Sequence, residues 1–223
     1  MKIFIDSADT EEIKKLVDLK VIDGITTNPT LASKTGKKYP DLVKEIFEIM
    51  PDSSIINLEV IKTDYEGILS QGRLLASLDK RVVVKIPCIP EGLKACKTLS
   101  SEGIRINVTL VFSSMQALLV AKAGAYFVSP FVGRLDDISE DGVGIVEDMV
   151  QVYDNYDFKT QILFASVRSV EHIRQACLMG VDAITSPYQF IMEMYNHPLT
   201  DKGLKQFLDD WESSGEEFGF KNL

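Results

Sequence analysis

A lysine stands inside an apolar run, Arg81-Val82-Val83-Val84-Lys85-Ile86-Pro87, whose β-branched residues read as a buried strand of a parallel sheet. Taking an ammonium out of water costs several kcal/mol, so a lysine there has a partner or gives up its proton. A neutral amine so placed attacks carbonyls and forms Schiff bases. The plainer reading is an edge strand whose lysine reaches back to solvent along its own methylenes.

Other residues complement an amine nucleophile. Asp6 and Glu59 are carboxylates on two further strand-like runs, able to act as general acid and base if their surroundings separate their pKa values. Asn28, Asn107 and Ser129 suit the hydroxyl groups of a polyol. Arg168, with Arg134 in the loop Gly133-Arg134-Leu135-Asp136-Asp137, suits a phosphate. Each also has a structural reading. Asp6 can cap the helix after its strand, Asn28-Pro29 is a common turn pair, and Thr109 can be strand filling. Arg134 can pair with Asp136 or Asp137, and Ser166 can be a small core residue. The two histidines, His172 and His197, fall outside the strand ends and read as surface helix and turn residues. Their placement argues against a Ser-His-Asp hydrolase and against a His-ligated metal; no metal site is expected.

Short apolar runs alternate with helix-period segments along the whole chain. Strands are expected at residues 3–6, 24–28, 55–60, 82–86, 105–111, 126–132, 161–167 and 183–186. Helices are expected after Asp9 as N-cap and at 41–50, 64–78, 92–99, 114–123, 142–153 and 170–179. Eight such units predict an α/β fold, a (β/α)₈ TIM barrel occupying residues 1–223 as one domain, with an extra C-terminal helix at about 201–214. An open doubly wound sheet would want a Gly-rich fingerprint, which Gly24-Ile25-Thr26-Thr27-Asn28-Pro29 is not. The strand ends that carry chemistry in such a barrel hold Asp6, Asn28, Glu59, Lys85, Asn107 with Thr109, Ser129 with Phe131, Ser166 with Arg168, and Thr185 with Ser186. Residues two apart share a face of a strand, so these pairs, with Asn57/Glu59 and Val83/Lys85, aim at one cavity. A ring of polar residues in that position is a site.

Composition narrows the partners. Net charge is −9 over 223 residues with no basic cluster, which excludes nucleic acid and anionic membrane as natural partners. Cys88, Cys96 and Cys177 follow no metal spacing and read as buried small hydrophobes in a reducing compartment. The chain opens on a strand without a signal-peptide pattern, and its longest uncharged stretch, residues 106–121, is too short and polar to cross ~30 Å of hydrocarbon. A cytoplasmic location is expected. In the last helix Leu204, Phe207, Leu208 and Trp211 form an apolar stripe that needs burial, on its own barrel or on a neighbouring subunit.

Several segments, in order and on successive strands, strongly resemble the small transaldolase family. They are Phe4-Ile5-Asp6-Ser7-Ala8, Gly24-Ile25-Thr26-Thr27-Asn28-Pro29-Thr30, Val84-Lys85-Ile86-Pro87, Asn107-Val108-Thr109-Leu110, Ser129-Pro130-Phe131-Val132-Gly133-Arg134 and Ala165-Ser166-Val167-Arg168. The resemblance implies a class I aldolase-type barrel of carbohydrate metabolism, in the pentose phosphate pathway, with sugar phosphates as substrates and no cofactor. Lys85 would form the Schiff base, Asp6 would move the proton of the hydroxyl at the bond being cleaved, and Glu59 with Thr109 would handle a catalytic water. Asn28, Asn107, Ser129, Phe131, Arg134, Ser166 and Arg168 would line the substrate. Family members assemble as rings of five, often doubled, so a homo-oligomer, pentamer or decamer, is expected. The family divides into transaldolases, which transfer a dihydroxyacetone unit from sedoheptulose 7-phosphate to glyceraldehyde 3-phosphate, and fructose 6-phosphate aldolases, which release free dihydroxyacetone. The aldolases carry Gln at the position of Glu59 and Tyr at that of Phe131, with apolar counterparts of Asn107 and Ser129. All four marks are of the transaldolase kind. A phosphosugar-binding protein without turnover is the rival of another class, and it would have no need of Lys85, Asp6 and Glu59 together.

Overall fold

In the computed structural model, which describes residues 1–216, 218 and 219, eight parallel strands pair in chain order and close on themselves. The remaining positions of the expected 1–223 domain lie outside the described residues. The strands are β1 (Lys2–Asp6), β2 (Gly24–Thr26), β3 (Ile55–Glu59), β4 (Val82–Pro87), β5 (Ile106–Val111), β6 (Phe127–Pro130), β7 (Gln161–Phe164) and β8 (Ala183–Ser186), with β8 returning to pair with β1. Around them run α1 (Thr10–Asp18), α2 (Pro29–Lys34), α3 (Tyr39–Ile49), α4 (Tyr65–Leu78), α5 (Pro90–Ser101), α6 (Ser114–Ala123), α7 (Val132–Asp136), α8 (Gly142–Tyr156), α9 (Val170–Met179) and α10 (Tyr188–Glu193), followed by α11 (Pro198–Ser214). The result is a (β/α)₈ TIM barrel with a C-terminal helix. Helix starts are capped by side chains: Asp9 accepts from the N–H groups of Glu11 and Glu12, and Asp64, Ser113, Asp141 and Ser169 do the same for α4, α6, α8 and α9.

Two apolar layers hold the barrel. The larger fills the space between sheet and helices, from Ile5 and Ile13 round to Ile184 and Ile191. The smaller lies inside the barrel, where Phe4, Ile55, Val83, Phe127, Leu163 and Ala183 meet, with the Phe4 and Phe127 rings edge to face at 5.9 Å. Strand period explains what lies above it. Two residues on from Phe4, Val83, Phe127 and Ala183 stand Asp6, Lys85, Ser129 and Thr185, so the interior turns from apolar to polar at the C-terminal end.

Four strands, β2, β3, β6 and β7, end earlier than the apolar pattern predicts, while β1, β5 and β8 end where it puts them, and short helices follow β2 and β6. β2 stops at Thr26 and α2 begins at Pro29; β6 stops at Pro130 and α7 begins at Val132; β7 stops at Phe164. Arg134 therefore lies on a helix rather than in a loop. Ser166, with φ of +62°, lies beyond β7, so its spacing from Arg168 is not a strand spacing. β5 carries an irregularity between Val108 and Val111, where Leu110 has φ of +60°. α11 covers the expected 201–214 and starts three residues sooner, at Pro198, with His197 as its cap. No helix among the described residues is long and apolar enough to cross a membrane.

Gly24 is required by close packing. A Cβ there would lie 2.3 Å from the Ile55 carbonyl oxygen and 3.0 Å from the Phe4 ring. Gly24→Ala is expected to push β2 away from β3 and to destabilise the barrel by roughly 1–3 kcal/mol. Thermal or denaturant unfolding measures this, and a variant as stable as the parent would show that the strands yield freely.

Candidate active site

Lys85 points into the barrel, 4% exposed, with Nζ 3.1 Å from Glu59 Oε2 and 3.5 Å from the Thr27 carbonyl. The ion pair comes from register: Glu59 and Lys85 are direct partners across β3 and β4. Of the two outcomes open to a buried lysine, this chain supplies the partner. Asp6, at the end of β1, accepts a hydrogen bond from Thr26 Oγ1 at 2.7 Å, and Thr26 Oγ1 lies 2.6 Å from Thr185 Oγ1. One hydroxyl has one proton, so with Asp6 ionised Thr26 donates to it and accepts from Thr185. Burial pushes the Asp6 carboxyl above its ordinary pKa, against the opposing pull of Lys85, the Thr26 hydrogen bond and Arg168. Asp6 does not cap α1; Asp9 does.

A cavity of about 140 Å³ opens at this end, lined by Asp6, Asn28, Lys85, Ser129, Phe131 and Ser166, with Arg134 and Arg168 among its other walls. Asn28 does two jobs: its Oδ1 accepts from the Leu31 N–H at 3.0 Å, capping α2, while the residue lines the cavity. Ser129 donates to Asn107 Oδ1 at 2.7 Å, Asn107 Nδ2 donates to Asn57 Oδ1 at 3.0 Å, and Asn57 Nδ2 donates to the Ile25 carbonyl at 3.2 Å. Asn107 is thus held behind Ser129 rather than on the cavity wall. Thr109 is buried, and its Oγ1 has no hydrogen-bonding partner among the described residues. Glu59 lines a separate cavity of about 270 Å³ beside α2, with Pro29, Tyr39 and Ile61. There burial, with the nearby Glu59 charge, pushes the Tyr39 hydroxyl up to about 12.

Both arginines stand exposed at the mouth. Arg134 Cζ sits 4.9 Å from the Phe131 ring centroid, and Lys85 Nζ sits 5.8 Å from the same ring. The carboxylate of this segment pairs with the other arginine: Arg168 Nη2 lies 3.2 Å from Asp137. Gly133 lets the two segments meet, since its N–H donates to the Ser166 carbonyl and a Cβ would lie 2.2 Å from that oxygen.

His172 is not a surface bystander. Its Nδ1 accepts from the Arg168 N–H at 3.3 Å and its Nε2 lies 3.1 Å from Asp136, tying α9 to both mouth segments. His197 is exposed and accepts from the Leu199 N–H. Among the cysteines Cys96 is buried, Cys88 is half-buried with its thiol pushed up by burial, and Cys177 is exposed, contrary to expectation. No group of three or more His, Cys, Asp or Glu able to hold a metal occurs among the described residues. Thr26 and Gly133 were not singled out for the site from sequence, though both lie within segments quoted there. Asn57 was paired with Glu59 by strand parity, but it stands behind the wall, bonded to Asn107 and the Ile25 carbonyl.

A model of the family described as Transaldolase/Fructose-6-phosphate aldolase matches residues 3–218. A protein from Anaeromyxobacter dehalogenans named probable transaldolase is 55% identical over 212 residues, covering 95% of this chain and 97% of its own. One of the same name from Aquifex aeolicus is 52% identical over 217 residues, covering 97% and 99%. Among solved structures, a chain of the Amycolatopsis orientalis BexX/CysO complex superposes with a TM-score of 0.58 at 13% identity, covering 83% of this chain and 79% of that one, which is likeness of fold alone.

The electrostatics of Asp6 set a measurable cost. Its pKa is raised in the fold, so the side chain favours folding most below the unfolded value of roughly 3.9, and that contribution is lost as pH rises through the folded value. Asp6→Asn keeps an oxygen for Thr26 and has nothing to titrate. It is expected to melt higher than the parent at pH 7, by roughly 2–4 °C per kcal/mol recovered, with the gain shrinking as pH falls. Thermal midpoints across the acid-to-neutral range test this; a variant less stable at pH 7 contradicts it.

Proposed function

The chain belongs to the transaldolase/fructose-6-phosphate aldolase family and is an enzyme of the transaldolase type, and from that premise we propose that it transfers a dihydroxyacetone unit between a ketose phosphate and an aldose phosphate through a Schiff base on Lys85. One observation carries the reading. A lysine 4% exposed has its Nζ 3.1 Å from Glu59, on the wall of a cavity that also presents Asp6.

The steps follow from reach. Lys85 must lose a proton to attack the ketose C2, and Glu59 is the acceptor beside it. The resulting carbinolamine sheds water to give an imine, with Glu59 as proton source; the unpartnered Thr109 hydroxyl supports a role in holding that water. Asp6 takes the proton of the C4 hydroxyl, the C3–C4 bond breaks, and its electrons move into the protonated imine to leave an enamine on Lys85. A carboxyl with a pKa raised by burial suits that exchange, since it can return the proton when an acceptor aldehyde arrives. The imine is itself the electron sink, so the reading needs no metal or organic cofactor. Arg134 and Arg168 would hold the phosphate, and Asn28, Ser129 and Ser166 the sugar hydroxyls. The free cysteines accord with a reducing, cytoplasmic setting.

Transfer rather than release rests on Phe131. Its ring centroid lies 5.8 Å from Lys85 Nζ and 4.9 Å from Arg134 Cζ, and the ring bears no hydroxyl to orient water toward the enamine. A homo-oligomer, the ring of five or ten the family resemblance implies, is supported by α11. None of its residues is buried, and Leu199, Phe207 and Trp211 are 68%, 74% and 43% exposed.

Three measurements test this. Fructose 6-phosphate with borohydride should attach a three-carbon unit to the peptide bearing Lys85, and Lys85→Met should lose both label and turnover; label elsewhere removes the mechanism. Without an acceptor the parent should release little dihydroxyacetone, and Phe131→Tyr should raise that release; rapid release by the parent would make it an aldolase. Phe207→Asp with Trp211→Asp should lower the mass seen by light scattering toward that of one chain, and an unchanged mass would put the interface elsewhere.

A further inference from the structure

The tie from Ser129 back to β2 has a direction, and one end of it is unambiguous. The Ile25 carbonyl can only accept, so the Asn57 atom 3.2 Å away is Nδ2. That turns Asn57 Oδ1 toward Asn107, and the Asn107 atom 3.0 Å from it is Nδ2. Asn107 Oδ1 then faces Ser129, which must give its single proton at 2.7 Å. Asn57 and Asn107 are 0% and Ser129 is 1% exposed, so solvent cannot repair a reversed bond. Reversal would set the Asn57 oxygen against the Ile25 oxygen, two acceptors with no proton between them. Ser129, on the cavity wall, is therefore left with lone pairs only.

We infer that Asn57, acting through Asn107, fixes Ser129 as a hydrogen-bond acceptor and so makes the site select ketones that bring a hydroxyl group to that point. Asn57 is a positioning residue: it lies on β3 behind the wall and reaches the cavity only through two other side chains. The selectivity follows because a hydroxyl donates to those lone pairs, whereas a methyl group leaves them buried and unpaired. The inference rests on the Schiff-base reading above and adds to it a residue and a direction of recognition.

The test is borohydride trapping on Lys85 with dihydroxyacetone and with acetone, which forms the same imine but carries no hydroxyl. Hydride reduces the C=N bond to a stable secondary amine, so the ratio of trapping rates reads selectivity, and comparison between variants cancels the ketones' intrinsic reactivity. The parent should favour dihydroxyacetone. Asn57→Leu should cut that ratio about fivefold, the worth of one neutral hydrogen bond, with acetone trapping unchanged. Asn57→Val gives the same test should leucine not fit the strand. Ser129→Ala should cut the ratio similarly, and the double variant should fall no further, because both act through one hydroxyl. An unchanged ratio in the Asn57 variants, equal loss with both ketones, or an additive double variant overturns the inference while the Schiff base stands. No adduct on Lys85 of the parent with either ketone overturns the Schiff-base reading and this inference with it.

Discussion

An amine buried in a β-barrel is stabilised by negative charge within a few ångströms, since burial strips it of most of its hydration. Around Lys85 the answer comes from the neighbouring strand. Parallel pairing sets Glu59 level with Lys85, and the two meet at 3.1 Å. Asp6, reached from β1, supplies a second carboxylate whose ionisation burial opposes and Lys85 favours. The two carboxylates thus have different settings, one bound to the amine and beside a second cavity, the other held by a threonine hydroxyl in the main one. Two acids with unlike surroundings around one amine permit one to serve imine formation and the other carbon–carbon cleavage.

What surrounds this charge cluster is graded from rigid to open. Below it large apolar side chains close the barrel. At its level the Ser129–Asn107–Asn57 chain crosses several strands with every hydrogen bond made inside the protein. At the mouth the arginines are exposed, one laid on Phe131 and one sharing Asp137, and His172 links the segments that carry them. The polar chain is held in the interior, and the two arginines are left exposed at the rim.

The alternation of apolar runs and amphipathic segments was enough to read eight strands and the closed parallel architecture, because burial between helix layers forces β-branched strands and capped helices that sequence displays directly. The cluster of polar strand ends was legible for the same reason: in a barrel of Val, Ile and Leu, a carboxylate or lysine at an interior position stands out. Strand limits were legible only in part: β8 covers the expected 183–186, whereas β2, β6 and β7 stop short of theirs. Segments such as Phe127-Val128-Ser129-Pro130-Phe131-Val132 keep the period of a strand past the point where the backbone turns into a helix, and nothing local marks Pro130 as the end of the strand.

Sequence by itself determined the residue types at each level of the barrel, and with them an amine, two carboxylates and two guanidiniums at one end. Only the tertiary structure decided their partners. Which carboxylate meets Lys85 depends on strand register; that Arg168 rather than Arg134 takes Asp137 depends on where α7 begins; that His172 belongs to the mouth depends on how α9 packs. The direction of the Ser129 hydroxyl depends on a carbonyl of β2, more than a hundred residues away in the chain. Side-chain period is a local property of the backbone and is written in every few residues, whereas the partner of a polar group is set by the closure of the whole barrel, and no short stretch of sequence contains it.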